Sequence, residues 1–197
     1  EMVQVLQALG VTYKVENLNL AAEPSVPKRF QALLLVSPSD SIPDDQFQKM
    51  NDYLSKGGKI IAAVNAVNGD LSTASGSVVQ SNVFPWLASL GVNVQPTFVI
   101  DASCAKVTVQ QQHTGFFNFA SQINFPYIPL ISKFPDHPAT KGLEAVIFQF
   151  ASPIQFTSTG SGTFVPMVTT SEKAGVQDAP LTFDVQRRWT QADFPMS

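Results

Sequence analysis

Cysteine, histidine and charge are all scarce in this chain, and each scarcity removes a class of function. Cys104 is the only cysteine among 197 residues, so no intrachain disulfide can form and no framework of bridges can staple the fold. The two histidines, His113 and His137, stand far apart and leave no spacing that would gather ligands around a zinc ion. Charged residues make up 14% of the chain, well below the roughly 25% usual for soluble domains. The net charge is −3 with the basic residues scattered, which excludes nucleic acid as a partner, because phosphate binding needs clustered Lys and Arg. Arg187-Arg188 reads as a solvated surface pair.

Long apolar runs are missing too. Ala32–Val36 and Ile60–Val64 have the length of strands, far short of a membrane span. No signal-peptide pattern opens the sequence, and Glu1 leads directly into a helical pattern, as expected of a segment cut from a longer precursor. The phosphate cradles are absent: no Gly-x-Gly-x-x-Gly follows a strand, and no Gly-x-x-x-x-Gly-Lys-Ser/Thr occurs. Gly57-Gly58-Lys59 precedes a strand and reads as a helix stop. No Gly-x-Ser-x-Gly elbow offers a serine nucleophile. Cys104 follows Asp101-Ala102-Ser103, so its nearest charge is a carboxylate that opposes thiolate formation. His137, in Phe134-Pro135-Asp136-His137-Pro138, reads as a turn residue, and His113 as an exposed loop residue. Asp136 and Glu144 beside Lys141 read as a solvated charge cluster. No cofactor and no metal are expected.

What is present is apolar and uncharged. Hydrophobic residues reach 44%, with 15 Phe, enough for a core without staples. The polar surface is left to Gln, Asn, Ser and Thr, which suits a solvated extracytoplasmic domain. Met2 to Leu9 has helical spacing and stops at Gly10, a C-cap candidate; Val11, Tyr13 and Val15 alternate as a strand does. Ala32–Val36 reads as a fully buried strand. Ser41 or Asp44 caps the next helix, with Pro43 in its first turn. That helix carries Phe47, Met50, Tyr53 and Leu54 on one face and ends at Gly57-Gly58, and Lys59–Val64 follows as a second buried strand. Strand, helix and strand so closely joined predict a right-handed unit with parallel strands. Asn65–Gly76 reads as a polar loop, and Val83–Leu90 as a short helix ending at Gly91. The second half holds short strands: Val92–Val94, Phe98–Ile100, Val107–Val109, Phe116–Phe119, Ile123–Phe125, Ala145–Phe150, Ile154–Phe156 and Phe164–Val168. Val176–Ser197 is irregular. The fold class expected is α/β: an open, largely parallel sheet flanked by helices, with a β-rich, loop-rich second half. Residues 1–160 form the main domain and 161–197 an extension packed on it. Leu34, central in a buried strand, is expected to unfold the domain when replaced by Asp.

In open parallel sheets ligands bind beyond the carboxyl ends of the strands. Those ends carry Ser37, Ser39, Asn65 and Asn68, small polar residues that donate and accept neutral hydrogen bonds and also form ordinary turns. They are the candidate ligand-binding residues, and no catalytic residue is assigned.

Three stretches resemble the GldG-like family of ABC-transporter auxiliary proteins, associated with gliding motility and uncharacterised export systems. The first joins Ala32–Val36, the helix from Asp44, and Tyr53-Leu54-Ser55-Lys56-Gly57-Gly58-Lys59-Ile60-Ile61. The second is Trp86-Leu87-Ala88-Ser89-Leu90-Gly91-Val92-Asn93-Val94 with Val99-Ile100-Asp101. The third and most specific runs from Phe125-Pro126-Tyr127-Ile128-Pro129 through His137-Pro138-Ala139-Thr140-Lys141-Gly142-Leu143-Glu144 to Val146–Ile154. The resemblance spans about residues 1 to 160. It implies a flavodoxin-like or class I glutamine-amidotransferase-like sheet without a nucleophile, at the periplasmic face of the inner membrane. It implies ABC permease or other membrane-complex subunits as partners, with a carbohydrate or peptide as a possible ligand. The family's membrane helices and its first strand have no counterpart in this sequence, so any membrane contact is expected through segments outside it. A degenerate hydrolase of amidotransferase-like fold is the alternative function.

Overall fold

The computed structural model describes residues 8, 10–38, 41–111, 119–157 and 162–194. They fall into two compact units, one drawn from Glu1–Val36 and Ile42–Ala63, the other from Ser37–Ser41 and Val64–Ser197.

The first unit contains β1 (Leu33–Val36), α1 (Asp44–Ser55) and β2 (Ile60–Ala63). The two strands pair in parallel, Leu33 opposite Ile60 through Val36 opposite Ala63. Helix α1 buries Phe47 and Met50. Tyr53 donates its hydroxyl to the Phe30 carbonyl at 3.1 Å, and Lys49 donates to the Leu20 carbonyl at 3.0 Å. Pro43 is the N-cap, and no side chain caps the helix; Asp44 and Asp45 instead place negative charge against its N-terminal dipole. Gly57 ends it in the left-handed conformation, at φ 84°, which costs glycine no Cβ clash.

Neither Ser41 nor Asp44 is the expected cap, since Pro43 holds that position, and three further local expectations fail in this unit. Val11, Tyr13 and Val15 form no strand, and Val11 is 88% exposed. Gly10 is helical rather than a left-handed cap, while the apolar positions Met2–Leu6 and Leu9 lie outside the described residues. The β1–β2 pair is open on one face: Leu34 is 42% exposed and its register partner Ile61 59%. Leu34 is therefore not the buried core position that its apolar neighbours suggested.

The expected fold class is overturned in the second unit. No third parallel strand extends β1–β2 among the described residues; the remaining sheets are small and antiparallel. Asn65–Gly76, read as a loop, contains β3 (Val67–Asp70) hairpinned to β4 (Ser75–Val78). Helix α2 (Val83–Ser89), ended by Gly91 at φ 87°, leads to β5 (Val92–Val94). Next come β6 (Phe98–Asp101), β7 (Cys104–Gln111), β8 (Phe119–Ile131), β9 (Val146–Ile147), β10 (Ile154–Phe156) and β11 (Ala174–Gln177). Strand β10 pairs with β5, β11 with β6, and β8 lies between β7 and β9. Helices α1 and α2 are too short and too few to flank an open sheet. Phe164–Val168 forms no strand, and Arg187 to Thr190 is irregular as expected.

Aromatic rings fill the core of this unit. Val67, Phe98, Phe125, Tyr127, Phe150, Leu181 and Phe183 pack with Ile100 and Ile128. Phe98 meets Tyr127 edge to face with centroids 5.6 Å apart and lies 5.4 Å from Phe150, in the range where aromatic pairs attract beyond their area. Two prolines shape β8. Pro126 and Pro129 have no N–H for a ladder, and the β7 register jumps between Cys104 and Lys106 beside them. Their neighbours bond elsewhere: Phe150 donates its N–H to the Tyr127 carbonyl and Phe148 to that of Pro129.

Candidate functional site

One face of the β7–β8 ribbon forms the floor of a cleft of about 700 Å³. Val109 pairs with Ser121, and side chains two apart on a strand share a face, so Val109, Ser121 and Ile123 line it together. The facing wall is the segment from Gln186 to Thr190 with Phe194. Asp184 starts that wall by accepting the Gln186 N–H at 2.8 Å. Trp189 is held edge-on to Tyr127 (5.6 Å, 74°) and stacked on Phe194 (5.6 Å, 28°). The Arg187 guanidinium lies 4.2 Å from the Trp189 ring centroid and pairs with the Asp193 carboxylate at 2.5 Å.

Asp193 also accepts the Thr190 N–H at 2.7 Å and hydroxyl at 2.9 Å. These Thr190 bonds, followed by Arg187, hold its carboxyl below the ordinary aspartate value. The wall is thus fixed by its own hydrogen bonds and stacking. Lys173 and Arg188 complete the lining, and among the described residues neither has an ion-pair partner. Two polar atoms in residues of the lining, Trp189 Nε1 and Ser121 Oγ, are buried without a hydrogen-bond partner.

Beside the cleft, Asp101 is fully buried. Its Oδ1 accepts the Ser103 N–H at 2.8 Å and the Ser171 hydroxyl at 2.5 Å, and its Oδ2 accepts the Ser171 N–H at 2.7 Å. This carboxylate ties the end of β6 to the loop that carries Lys173. Its role is to hold the rim.

Cys104 lines the cleft, and its thiol is pushed up from the ordinary value first by burial and then by the Asp101 charge. The thiolate is disfavoured, as the neighbouring carboxylate suggested, although burial is the larger cause. Alkylation by iodoacetamide, followed against pH, is expected to show a midpoint above that of free cysteine. A midpoint below neutrality would mean a cation reaches the sulfur.

The candidates read from the sequence are placed otherwise. Asn65 spends its amide on structure: Nδ2 donates to the Val67 carbonyl at 2.7 Å and the Phe150 carbonyl at 2.6 Å, and Oδ1 accepts the Ser152 N–H at 2.9 Å. Asn68 is exposed within β3, opposite Ser77. Ser37 follows β1 at φ 31°. Ser39 lies outside the described residues, as does His113. His137 accepts the Ala139 N–H on Nδ1 at 3.1 Å, and Thr140 donates to the Pro135 carbonyl at 2.7 Å, the turn expected there. Asn65, Asn68 and Ser37 are not among the residues that line the cleft. Arg187, Arg188, Trp189 and Lys173 carry it instead. The available sequence signal is Arg187-Arg188-Trp189, two guanidinium groups beside an indole in a chain poor in charge.

Among the described residues no group of three or more His, Cys, Asp or Glu is placed to hold a metal ion, and no helix is long and apolar enough to cross a membrane. A family model described as ABC-type uncharacterized transport system matches residues 1–197. No curated protein sequence matches the chain. Among solved structures, one described as the mmIFT52 N-terminal domain is similar, with a TM-score of 0.55 over 91% of this chain and 73% of that one. At 14% identity that likeness concerns the fold alone.

Proposed function

The chain belongs to the family described as ABC-type uncharacterized transport system, and on that premise we propose that it is a non-catalytic, extracytoplasmic binding domain within an ABC-type transport or gliding-motility complex. The observation that carries this reading is the chemistry of the cleft. Turnover there would need an activated nucleophile or a metal with a base in reach. Burial pushes up the one thiol in the lining and so disfavours its thiolate, and the other polar groups are amides, hydroxyls, an indole and cations. Such groups recognise and orient a ligand. The low content of charge suits a surface that contacts other subunits. The periplasmic face of the inner membrane is the matching location, with permease subunits as partners.

Co-expression of the protein with an ABC-type ATPase and permease from the same organism tests the role. The protein is expected to stay with both through detergent extraction and affinity purification. Protease added to spheroplasts is expected to cut this domain. Recovery of the protein alone, or protection of the domain until the membrane is opened, would overturn the assignment.

A further inference from the structure

We propose that the cleft on the β7–β8 ribbon binds a small organic anion, a carboxylate or phosphate carried on an apolar or ring-shaped body. The proposal rests on the cleft being a recognition site, as the auxiliary role has it, and adds the class of ligand.

Charge is the first argument. The chain has more acidic than basic residues, 15 against 12, yet Lys173, Arg187 and Arg188 converge on this cleft and, among the described residues, no Asp or Glu lines it. A second cleft of about 450 Å³ shares Arg187 and Trp189, and there the lining includes Asp178, Asp184 and Asp193. The segment from Arg187 to Trp189 thus borders one acidic and one cationic hollow. Arg187 is answered by Asp193; the charges of Lys173 and Arg188 are not answered within the described residues. Exposed single cations attract anions weakly, but two beside low-dielectric walls focus the field into the hollow.

The second argument is the kind of hydrogen bond left open. An indole N–H only donates, and Trp189 Nε1 is buried without an acceptor. Ser121 Oγ, also in a lining residue, is unpartnered too. Buried donors without partners are rare in folded proteins; both atoms are closed to solvent in this structure, so a ligand oxygen would reach them only with a shift of the Trp189 and Ser121 side chains, and an anion would supply the acceptor the indole lacks. The third argument is shape. Val109, Ile123, Pro126 and Phe194 give the cleft apolar walls, and its volume falls within the range of small-molecule sites, about 300–1,000 Å³. An inorganic anion would leave those walls unused.

The test follows the Trp189 indole N–H resonance by NMR while the whole chain is titrated with phenyl phosphate, benzoate, inorganic phosphate and neutral benzyl alcohol. Phenyl phosphate and benzoate are expected to shift it saturably and to bind more weakly as salt rises. Inorganic phosphate is expected to bind less well and benzyl alcohol least. The exposed-site double variant K173E/R188E should weaken both aromatic anions by about tenfold or more, whereas K133E/K141E, an equal change of charge at exposed residues outside the cleft lining, should not. Equal binding of benzyl alcohol, equal weakening by K133E/K141E, or no shift with any anion would overturn the proposal. Inorganic phosphate binding as well as phenyl phosphate would remove the apolar body from it. The parent protein, assayed both for anion binding and for retention by the transport complex, separates the two readings. A parent that assembles but binds none of the anions sinks the ligand class alone, and a parent that binds the anions but fails to assemble sinks the auxiliary role.

Discussion

Replacing Asp101 with Ala is expected to lower the stability of the second unit by about 3–5 kcal/mol, the range for breaking a buried charge interaction by removing one partner. The carboxylate is fully buried and accepts three hydrogen bonds, from Ser103 N–H, Ser171 N–H and the Ser171 hydroxyl. Each bond to a charged group contributes about 1.5–3 kcal/mol, and the three share one group, so they do not add. Alanine leaves three donors facing a void. Asn keeps an acceptor on one side but turns an amide N–H toward a donor on the other, so Asp101→Asn is expected to fall between Ala and the parent. Both tryptophans, Trp86 and Trp189, lie in the second unit, so urea unfolding followed by tryptophan fluorescence reads that unit directly. An Ala variant within about 0.5 kcal/mol of the parent, the scatter of ordinary surface changes, would show that the three contacts carry no net stability.

Asp101 also shows how far the sequence could be read. As a residue near Cys104 it was legible as a source of negative charge, and the raised thiol agrees. Its partners on Ser171 were not legible, because 70 positions separate the two and no local pattern encodes that pairing. The same division runs through the fold. The β1–α1–β2 unit was readable because its signals are local: two apolar runs, an amphipathic helix and a glycine stop. Its parallel register is present. What failed was extrapolation from one such unit to a whole open sheet, since β5 and β6 pair with strands distant in sequence.

Hairpin β3–β4 was missed for a different reason. Asn68-Gly69-Asp70 and Ser75-Gly76-Ser77 contain no β-branched or aromatic residue, so they carry the composition of a turn. The strand character comes from what packs on them. The motif Phe125-Pro126-Tyr127-Ile128-Pro129, which carried the family resemblance, is almost wholly buried; it records the core, and of its residues Pro126 alone lines the cleft. The cleft itself joins residues 102–126 to residues 173–194, and only the folded chain brings them together.

The two glycines of that hairpin should respond differently to the same added methyl group. Gly69 and Gly76 face each other in register, and each leaves room for an aromatic ring. A Cβ at Gly69 would collide with ring atoms of Phe150, and these are its three nearest contacts. A Cβ at Gly76 would collide with the Phe98 ring and also lie 2.6 Å from the Asn68 carbonyl oxygen. Overpacking a dense core costs about 1–3 kcal/mol, and truncating a buried Phe to Ala about 3–5 kcal/mol. Gly69→Ala and Phe150→Ala are each expected to destabilise, but the pair should cost clearly less than the sum, because removing the ring removes the clash. Gly76→Ala with Phe98→Ala should recover less, since the backbone oxygen of Asn68 stays in place and can move only by disturbing the β3–β4 ladder. Two double-mutant cycles, read by urea unfolding, give the coupling energies directly. A larger favourable coupling at Gly69–Phe150 than at Gly76–Phe98 is the expected order. Equal couplings, or additive effects at Gly69–Phe150, would mean that the rings shift aside easily and that the paired glycines are not what admits them to the hairpin.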